Sequence, residues 1–482
     1  MKTTFTITTT LAIILLAVFP GIIQGANTWD GEIDGRWANP TNWDDNAVPA
    51  SGANVTFPDA LHQEVDLGAN RTVGNLTFHA TNSYRLGTQQ LTLNGVMTQY
   101  GGGSVTLDSD LFLGNSGGSR WIRGDGTGTV FLRGAIRGVP TLYFDCTNAV
   151  VVLGGTNAFS GNSQFVCGTL HVTGGGNTNV SEFRMMANGL PKILIHDTDS
   201  VYPMGTGQWV PADTNAFILR IPAGPTRRVD NTINNGTASN VSWTIEGEAP
   251  LMFTGNFLLT WNVSYPRFLT IANPRTIVTG PVYTQVPGPA ATFYKKGAGV
   301  LELQHTNNTA DIPFVVMEGS LVVNGIFSNS TKSVTVQSGA ALGGTGILSR
   351  TVTIQSGGRL EPGEEGTGRL TVSNLTFQTG ACYEWNLDRE SDQVEVLKTL
   401  TLGTSATLRL RHGPRARCKP SDSFVLFTYT GAHPSNPAWQ FEFEGDGWTH
   451  TNATVVLDTE HQRVVLTGIG VASRLGTVIA IQ

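Results

Sequence analysis

Five carboxylates in turn-like contexts, Asp44, Asp45, Glu361, Glu364 and Glu365, are the side chains best suited to act in pairs. Hydrolysis of a glycosidic bond takes two carboxyl groups roughly 5–9.5 Å apart, one to protonate the leaving oxygen and one to act as nucleophile or base. A lyase would draw on Arg or Lys instead, and the chain has two basic doublets, Arg227-Arg228 and Lys295-Lys296. None of the five carboxylates recurs at a spacing that a regular coil would turn into adjacency. Other catalytic templates fail. There is no His-Glu-x-x-His, no paired Cys-x-x-Cys and no Gly-Lys dipeptide for a phosphate loop. The nine histidines are scattered, none at i+2 or i+4 of another. Gly114-Asn115-Ser116-Gly117-Gly118 has the spacing of a nucleophile elbow, but that turn must lead into a helix. The stretch after it, Ser119-Arg120-Trp121-Ile122-Arg123, is not helical in pattern. The sequence therefore assigns no catalytic, cofactor-binding or metal-binding residue.

Composition narrows the classes further. The chain has 482 residues, 58 of them Gly, with 14% charged and a formal net charge of −6. A mildly acidic chain without long charge runs gives no electrostatic case for nucleic acid or an anionic membrane as partner. Residues 1–25 read as a secretory signal: Lys2 is the charged start, residues 11–19 the apolar stretch, and Gln24-Gly25-Ala26 a small-residue cleavage zone. That apolar run is shorter than the ~20 residues a membrane span needs. The expectation is an exported chain, secreted or at the cell surface, with no transmembrane helix after signal removal. Four cysteines are few for such a chain, so disulfides are not its main support. Cys146 and Cys167 stand at a spacing of 21, as do Phe144 and Phe165. In register on neighbouring rungs ~4.8 Å apart, they would form either a disulfide or a stacked pair of thiols. Cys382 and Cys418 have no such periodic support.

The elements that would position these residues are short strands. Val334-Thr335-Val336 recurs as Val352-Thr353-Ile354 at a spacing of 18, with Gly339, Gly343-Gly344 and Gly357-Gly358 at nearby corners. Leu321, Leu342 and Leu360 follow such corners at spacings of 21 and 18. Leu76-Thr77-Phe78, Leu91-Thr92-Leu93 and Val105-Thr106-Leu107 show the same triplet at spacings of 15 and 14. A period near 20 means one supersecondary unit repeated along an axis, and no unit can bury its apolar edge without a neighbour. The expected fold is all-β: a right-handed parallel β-solenoid (β-helix) along most of residues 60–410. Residues 26–64 hold Trp29, Trp37 and Trp43, read as an aromatic N-terminal cap over the first coil, with a sugar-stacking surface as the alternative. Residues 424–429 and 464–468 read as antiparallel strands of a C-terminal cap. Gly124-Asp125-Gly126-Thr127-Gly128 is similar to a calcium-binding β-roll unit, but such units bind only in tandem, and this one stands alone.

Residues 293–363 resemble the autotransporter-associated β-strand repeat and the passenger-type solenoid that carries it. The residues concerned are Lys296-Gly297-Ala298-Gly299-Val300-Leu301-Glu302-Leu303, Gly319-Ser320-Leu321-Val322-Val323-Asn324-Gly325, residues 334–346, and Gly357-Gly358-Arg359-Leu360-Glu361-Pro362-Gly363. Residues 150–172 are similar to the same repeat. Taken together, the residue patterns divide the chain into 1–25 signal, 26–64 cap, 65–182 solenoid, 183–292 solenoid with longer and irregular coils, 293–380 repeat solenoid and 381–482 C-terminal β module. The resemblance implies an exported structural or adhesive protein, with surface glycans or other cell-surface proteins as the candidate partners. The alternative is a solenoid polysaccharide lyase or glycoside hydrolase.

Overall fold

A triplet with apolar outer residues and a polar centre can bury only one edge, because successive strand side chains point to opposite faces. In the computed structural model these triplets stack into a parallel β-solenoid of about 14 turns. The structure describes residues 27–114, 118–175, 182–211, 214–235, 241–260, 265–285, 290–328, 331–364 and 366–472. The signal segment, the Asn115–Gly117 part of the elbow-like motif, Glu365 and the stretch 473–482 lie outside them. Among the described residues the only helical turn is a 3-10 turn at Pro40–Asn42, and no helix is long and apolar enough to cross a membrane.

The coils have three faces. A 30-stranded sheet supplies two of them, and the third is a five-stranded sheet early in the chain and a ten-stranded sheet later. The strand Ile347–Ile354 shows how one chain segment serves two faces. Its first half pairs with Ile326–Phe327 and its second half with Ser333–Val336. The register bears out the triplet reading residue by residue. Val334 lies opposite Val352, Val352 opposite Leu375 and Leu375 opposite Leu400. Val336, Ile354, Phe377 and Leu402 form the second inward column, and Thr335, Thr353, Thr376 and Thr401 the outward column between them. Val334, Val336, Val352 and Ile354 are at most 1% exposed, and each contributes about 1.5–3 kcal/mol by leaving water. On the third face Leu321, Leu342, Leu360 and Tyr383 stack in the same manner.

Two expectations of spacing are corrected. Leu76–Phe78, Leu91–Leu93 and Val105–Leu107 are not successive rungs of one face. Leu76–Phe78 pairs with Val55–Phe57 and Val96–Gln99, Leu91–Leu93 with Arg71–Val73 and Leu111–Leu113, and Val105–Leu107 with Tyr84–Leu86 and Val130–Leu132. Spacings of 14 and 15 are therefore steps between faces, whereas one coil runs from Leu76 to Met97. The cysteines, in turn, are not opposite each other. Phe144 faces Phe165 as expected, but a bulge comes next, so Asp145 faces Cys167 and Cys146 faces Gly168. Both thiols are free and buried; Cys167 Sγ donates to Asp145 Oδ1 at 3.0 Å. Burial pushes both thiols up, away from the thiolate that reacts.

Residues 183–292 continue the same stack with longer coils. Trp243 faces Leu269 and Leu269 faces Lys295, each a longer step along the chain than that from Val334 to Val352. At the start, Trp29, Trp37 and Trp43 are at most 2% exposed. Their rings meet edge to face at 5.1 and 4.8 Å and lean on Phe57 of the first coil. Trp43 Nε1 donates to the Trp37 carbonyl and Trp29 Nε1 to the His62 carbonyl. They form the cap; no sugar can stack on rings that are covered. At the other end Phe424–Thr428 and Trp448–Asp458 flank Arg463–Val471 in antiparallel pairings.

The corners depend on backbone that side chains rarely adopt. Gly247 has φ +113°, and a Cβ there would lie 1.9 Å from the Ile221 carbonyl oxygen of the coil below. Gly247→Ala is expected to destabilise the fold by at least about 1–2 kcal/mol from the dihedral alone, with the backbone clash added. A chemical-denaturation midpoint that does not fall would contradict this account.

Candidate functional site

The outward side of the ten-stranded sheet gathers many of the chain's ionisable groups. Its triplets carry a charged centre where the first face carries Thr: Leu301-Glu302-Leu303, Leu360-Glu361-Pro362, Tyr383-Glu384-Trp385, Leu408-Arg409-Leu410 and Phe441-Glu442-Phe443. The flanking members of these triplets pack towards the core, which fixes the charged centres outward. Register aligns Glu302 with Val322, Gly343 and Glu361, and then Glu384 with Arg409 and Glu442. Leu360 facing Tyr383 makes Glu361 and Glu384 neighbours one coil apart.

Four arginines tie the column together. Arg359 Nε lies 2.8 Å from Glu361 Oε1 and 3.1 Å from Glu384 Oε1, so two carboxylates share one donor. Glu384 also takes Arg409 Nη1 at 2.7 Å and Arg411 Nη1 at 2.8 Å, and its side chain is only 5% exposed. Arg409 continues to Glu442, and Arg411 to Glu444 at 2.5 Å. Arg275 bridges Glu302, at 2.5 Å, to Glu364. The environments differ along the ladder. Burial pushes the Glu361 carboxyl up, Arg359 offsets part of that, and the adjacent Glu384 carboxylate adds to it. Burial also acts on Glu302, but hydrogen bonds from Gln304, Asn324 and Arg275 win and hold its carboxyl below the usual range. The surroundings thus shift these two carboxyls, three rungs apart, in opposite directions.

Of the four described carboxylates singled out in the sequence, Glu361 and Glu364 reach this face and Asp44 and Asp45 do not; Glu365 lies outside the described residues. Asp44 accepts the Thr28 amide in the cap, and Asp45 closes a turn by accepting the Ala47 amide. Arg227 pairs with Asp197 and Asp199, and Arg228 with Asp230. Among the described residues no group of three or more His, Cys, Asp or Glu is placed to hold a metal ion. Glu384 escapes a reading by spacing because the coil from Glu361 to Glu384 is longer than the one from Val334 to Val352. The signal that finds it is the apolar–charged–apolar triplet itself.

The two lysines of the doublet lie on opposite sides of the sheet. Lys296, read as the motif lysine, lies outward with its Nζ 4.7 Å from the Phe268 ring centroid. Lys295 is the buried one, and its Nζ donates to the carbonyls of Gly297, Gly299 and Glu318. Burial pushes its ammonium down to about 7. Its position latches a corner of one coil to the next and leaves no donor for a substrate.

Other outward positions carry neutral groups. Trp121 and Tyr143 stack at 4.2 Å and Phe268 and Tyr294 at 4.8 Å on the 30-stranded sheet. The Phe268–Tyr294 column runs on through Val315 into Thr335, Thr353, Thr376 and Thr401. No family model matches this chain, and no curated protein matches it.

Two measurements test the electrostatics. Glu384→Gln removes the charge that three arginines share and is expected to cost about 1–3 kcal/mol. Glu444→Gln, at a 44% exposed side chain, should change stability by no more than about 0.5 kcal/mol. Equal effects would show that the ladder is not centred on Glu384. The second concerns His196, whose Nε2 donates to the Arg228 carbonyl at 3.1 Å with Arg227, Asp197 and Asp199 nearby. Burial pushes its imidazole down to about 4. A depressed pKa means the folded state resists the proton. The associated stability is present above the unfolded value near 6.5 and is lost as pH falls towards 4, up to about 3 kcal/mol. His196→Gln should flatten that part of the stability–pH curve; an unchanged slope between pH 6.5 and 4 would contradict it.

Proposed function

We propose that this chain is an exported structural or adhesive β-solenoid, of the kind the autotransporter-associated β-strand repeat builds. In this reading it is secreted or held at the cell surface, and its partners are surface glycans or other surface proteins. The observation that carries the reading is how the charged groups are engaged. Glu384 is held by three arginines, Lys295 by three carbonyls, and the arginine doublet by Asp197, Asp199 and Asp230. Charges engaged in this way lock coil to coil. What they leave outward is a long surface of Thr columns and stacked aromatics, suited to many weak contacts along a rod and to avidity when copies cluster.

A second reading, a solenoid glycosidase or lyase, has one specific observation in its favour. Glu361 and Glu384 stand one coil apart and share Arg359, and burial pushes the Glu361 carboxyl up. The two readings part in a single assay. Purified protein lacking residues 1–25 is incubated with pectin, alginate and neutral β-linked glycans, and new reducing ends or unsaturated products are followed. The rod reading expects none. Turnover that disappears in both Glu361→Gln and Glu384→Gln, with folding intact, would replace it with the hydrolase reading.

A further inference from the structure

A groove of about 490 Å³ opens on the 30-stranded sheet where each coil bends from one of its two faces to the other. The bend is visible in the register: Leu348 faces Val372 and Thr351 faces Asn374, so two residues of one strand oppose the single residue Ser373 of the next. Arg350, the extra residue, turns inward and donates to the Ala310 and Ile312 carbonyls. Ser349 and Ser373 are left lining the concave side. Thr351 and Asn374, bonded to each other, lie beside them, and Thr331 from the coil below and Leu397 and Lys398 from the coil above complete the groove, so four consecutive coils contribute to it. Its long direction is that of the solenoid axis, and three rung steps of ~4.8 Å span about 14 Å.

The lining defines the ligand. Among the described residues the hydroxyls of Thr331, Ser349 and Ser373 and the ammonium of Lys398 have no side-chain hydrogen bond or ion pair. Each hydroxyl can both donate and accept, which suits a ligand that is itself a row of hydroxyls. Leu397 is 42% exposed beside them and offers an apolar contact for a ring's C–H face. An extended peptide docks by adding to a free strand edge, and no free edge exists here. Ile347–Ile354 is paired on one side with Ile326–Phe327 and Ser333–Val336 and on the other with Arg369–Phe377. Arg369–Phe377 is in turn paired with Gln393–Val396 and Leu400–Leu402. Phosphate recognition calls for clustered arginine, and the groove has one lysine and no arginine in its lining. No carboxylate lines it either, so an acidic sugar is not repelled.

We propose that this groove is a binding site for a linear oligosaccharide lying parallel to the solenoid axis, its hydroxyls meeting Thr331, Ser349 and Ser373. The proposal rests on the adhesive reading and names the ligand class and the place of contact. The test uses the full chain after residue 25 and calorimetric titration with defined neutral oligosaccharides and with oligouronates. At least one class should bind, and Ser373→Trp, which fills the groove, should weaken that binding tenfold or more. Ser349→Leu, which fills it less and is the safer substitution for folding, should weaken it in the same direction. Each variant is checked by its thermal unfolding curve. Failure of both ligand classes to bind overturns the site. Binding that persists unchanged in folded Ser349→Leu and Ser373→Trp overturns it too, but leaves the adhesive reading standing with contacts elsewhere. Absence of the protein from the secreted and surface fractions of expressing cells would sink the adhesive reading, whatever the groove binds.

Discussion

Everything in this molecule depends on one coil lying in register on the next. Parallel pairing satisfies the backbone of each strand only if the coil above repeats its path, because an unpaired buried amide or carbonyl is costly. The inward columns enforce that repetition. Val334, Val352, Leu375 and Leu400 form one continuous seam, and a slip by one residue would turn the whole seam outward. The outward residues are then free to vary, and the same scaffold carries Thr on one face and Arg–Glu pairs on another. A stack of this kind also has two ends at which pairing must stop. Three tryptophans cover the first coil, and a reversal into antiparallel strands closes the last. Both devices deal with exposed strand edges, which otherwise recruit other chains.

Much of the architecture is legible in the sequence because the triplet is a direct image of burial. Val334-Thr335-Val336 and the leucines at 321, 342 and 360 stand on the expected columns. What the letters do not convey is coil length. The steps from Val334 to Val352, from Val352 to Leu375, from Leu375 to Leu400 and from Trp243 to Leu269 all differ within one stack, since corner loops lengthen without disturbing the rungs. Glu361 and Glu384 therefore look unrelated in sequence. Leu76-Thr77-Phe78 and Leu91-Thr92-Leu93, by contrast, look like neighbours when they lie on different faces. The cysteines hide behind a finer effect. One bulge between Phe144 and Asp145 moves their pairing by a residue, and bulges leave no reliable mark in a sequence. In the lysine doublet alternation decides which of two adjacent residues is inside, and it selects Lys295.

The charged face and the groove differ in what they leave available. Along the ten-stranded sheet nearly every charge answers another, so that face is stiffened by its own chemistry. At the bend of the 30-stranded sheet the side chains are short, and the hydroxyls of Ser349 and Ser373 remain open to solvent. Strand pairing occupies the backbone there, which leaves side-chain hydroxyls, the Asn374 amide, one ammonium and one apolar contact. The contrast is one of availability: the charged side chains are engaged with each other, and the serine hydroxyls are not.

The independence of coil length from rung spacing has a geometric consequence. Residues added at a corner enlarge the girth of the column and leave its height untouched, while each added coil raises it by ~4.8 Å. Fourteen turns give a reach on the order of 65 Å. Duplication of a coil and insertion in a loop are thus separate adjustments, one setting how far the molecule extends and the other what its flank presents at a given height.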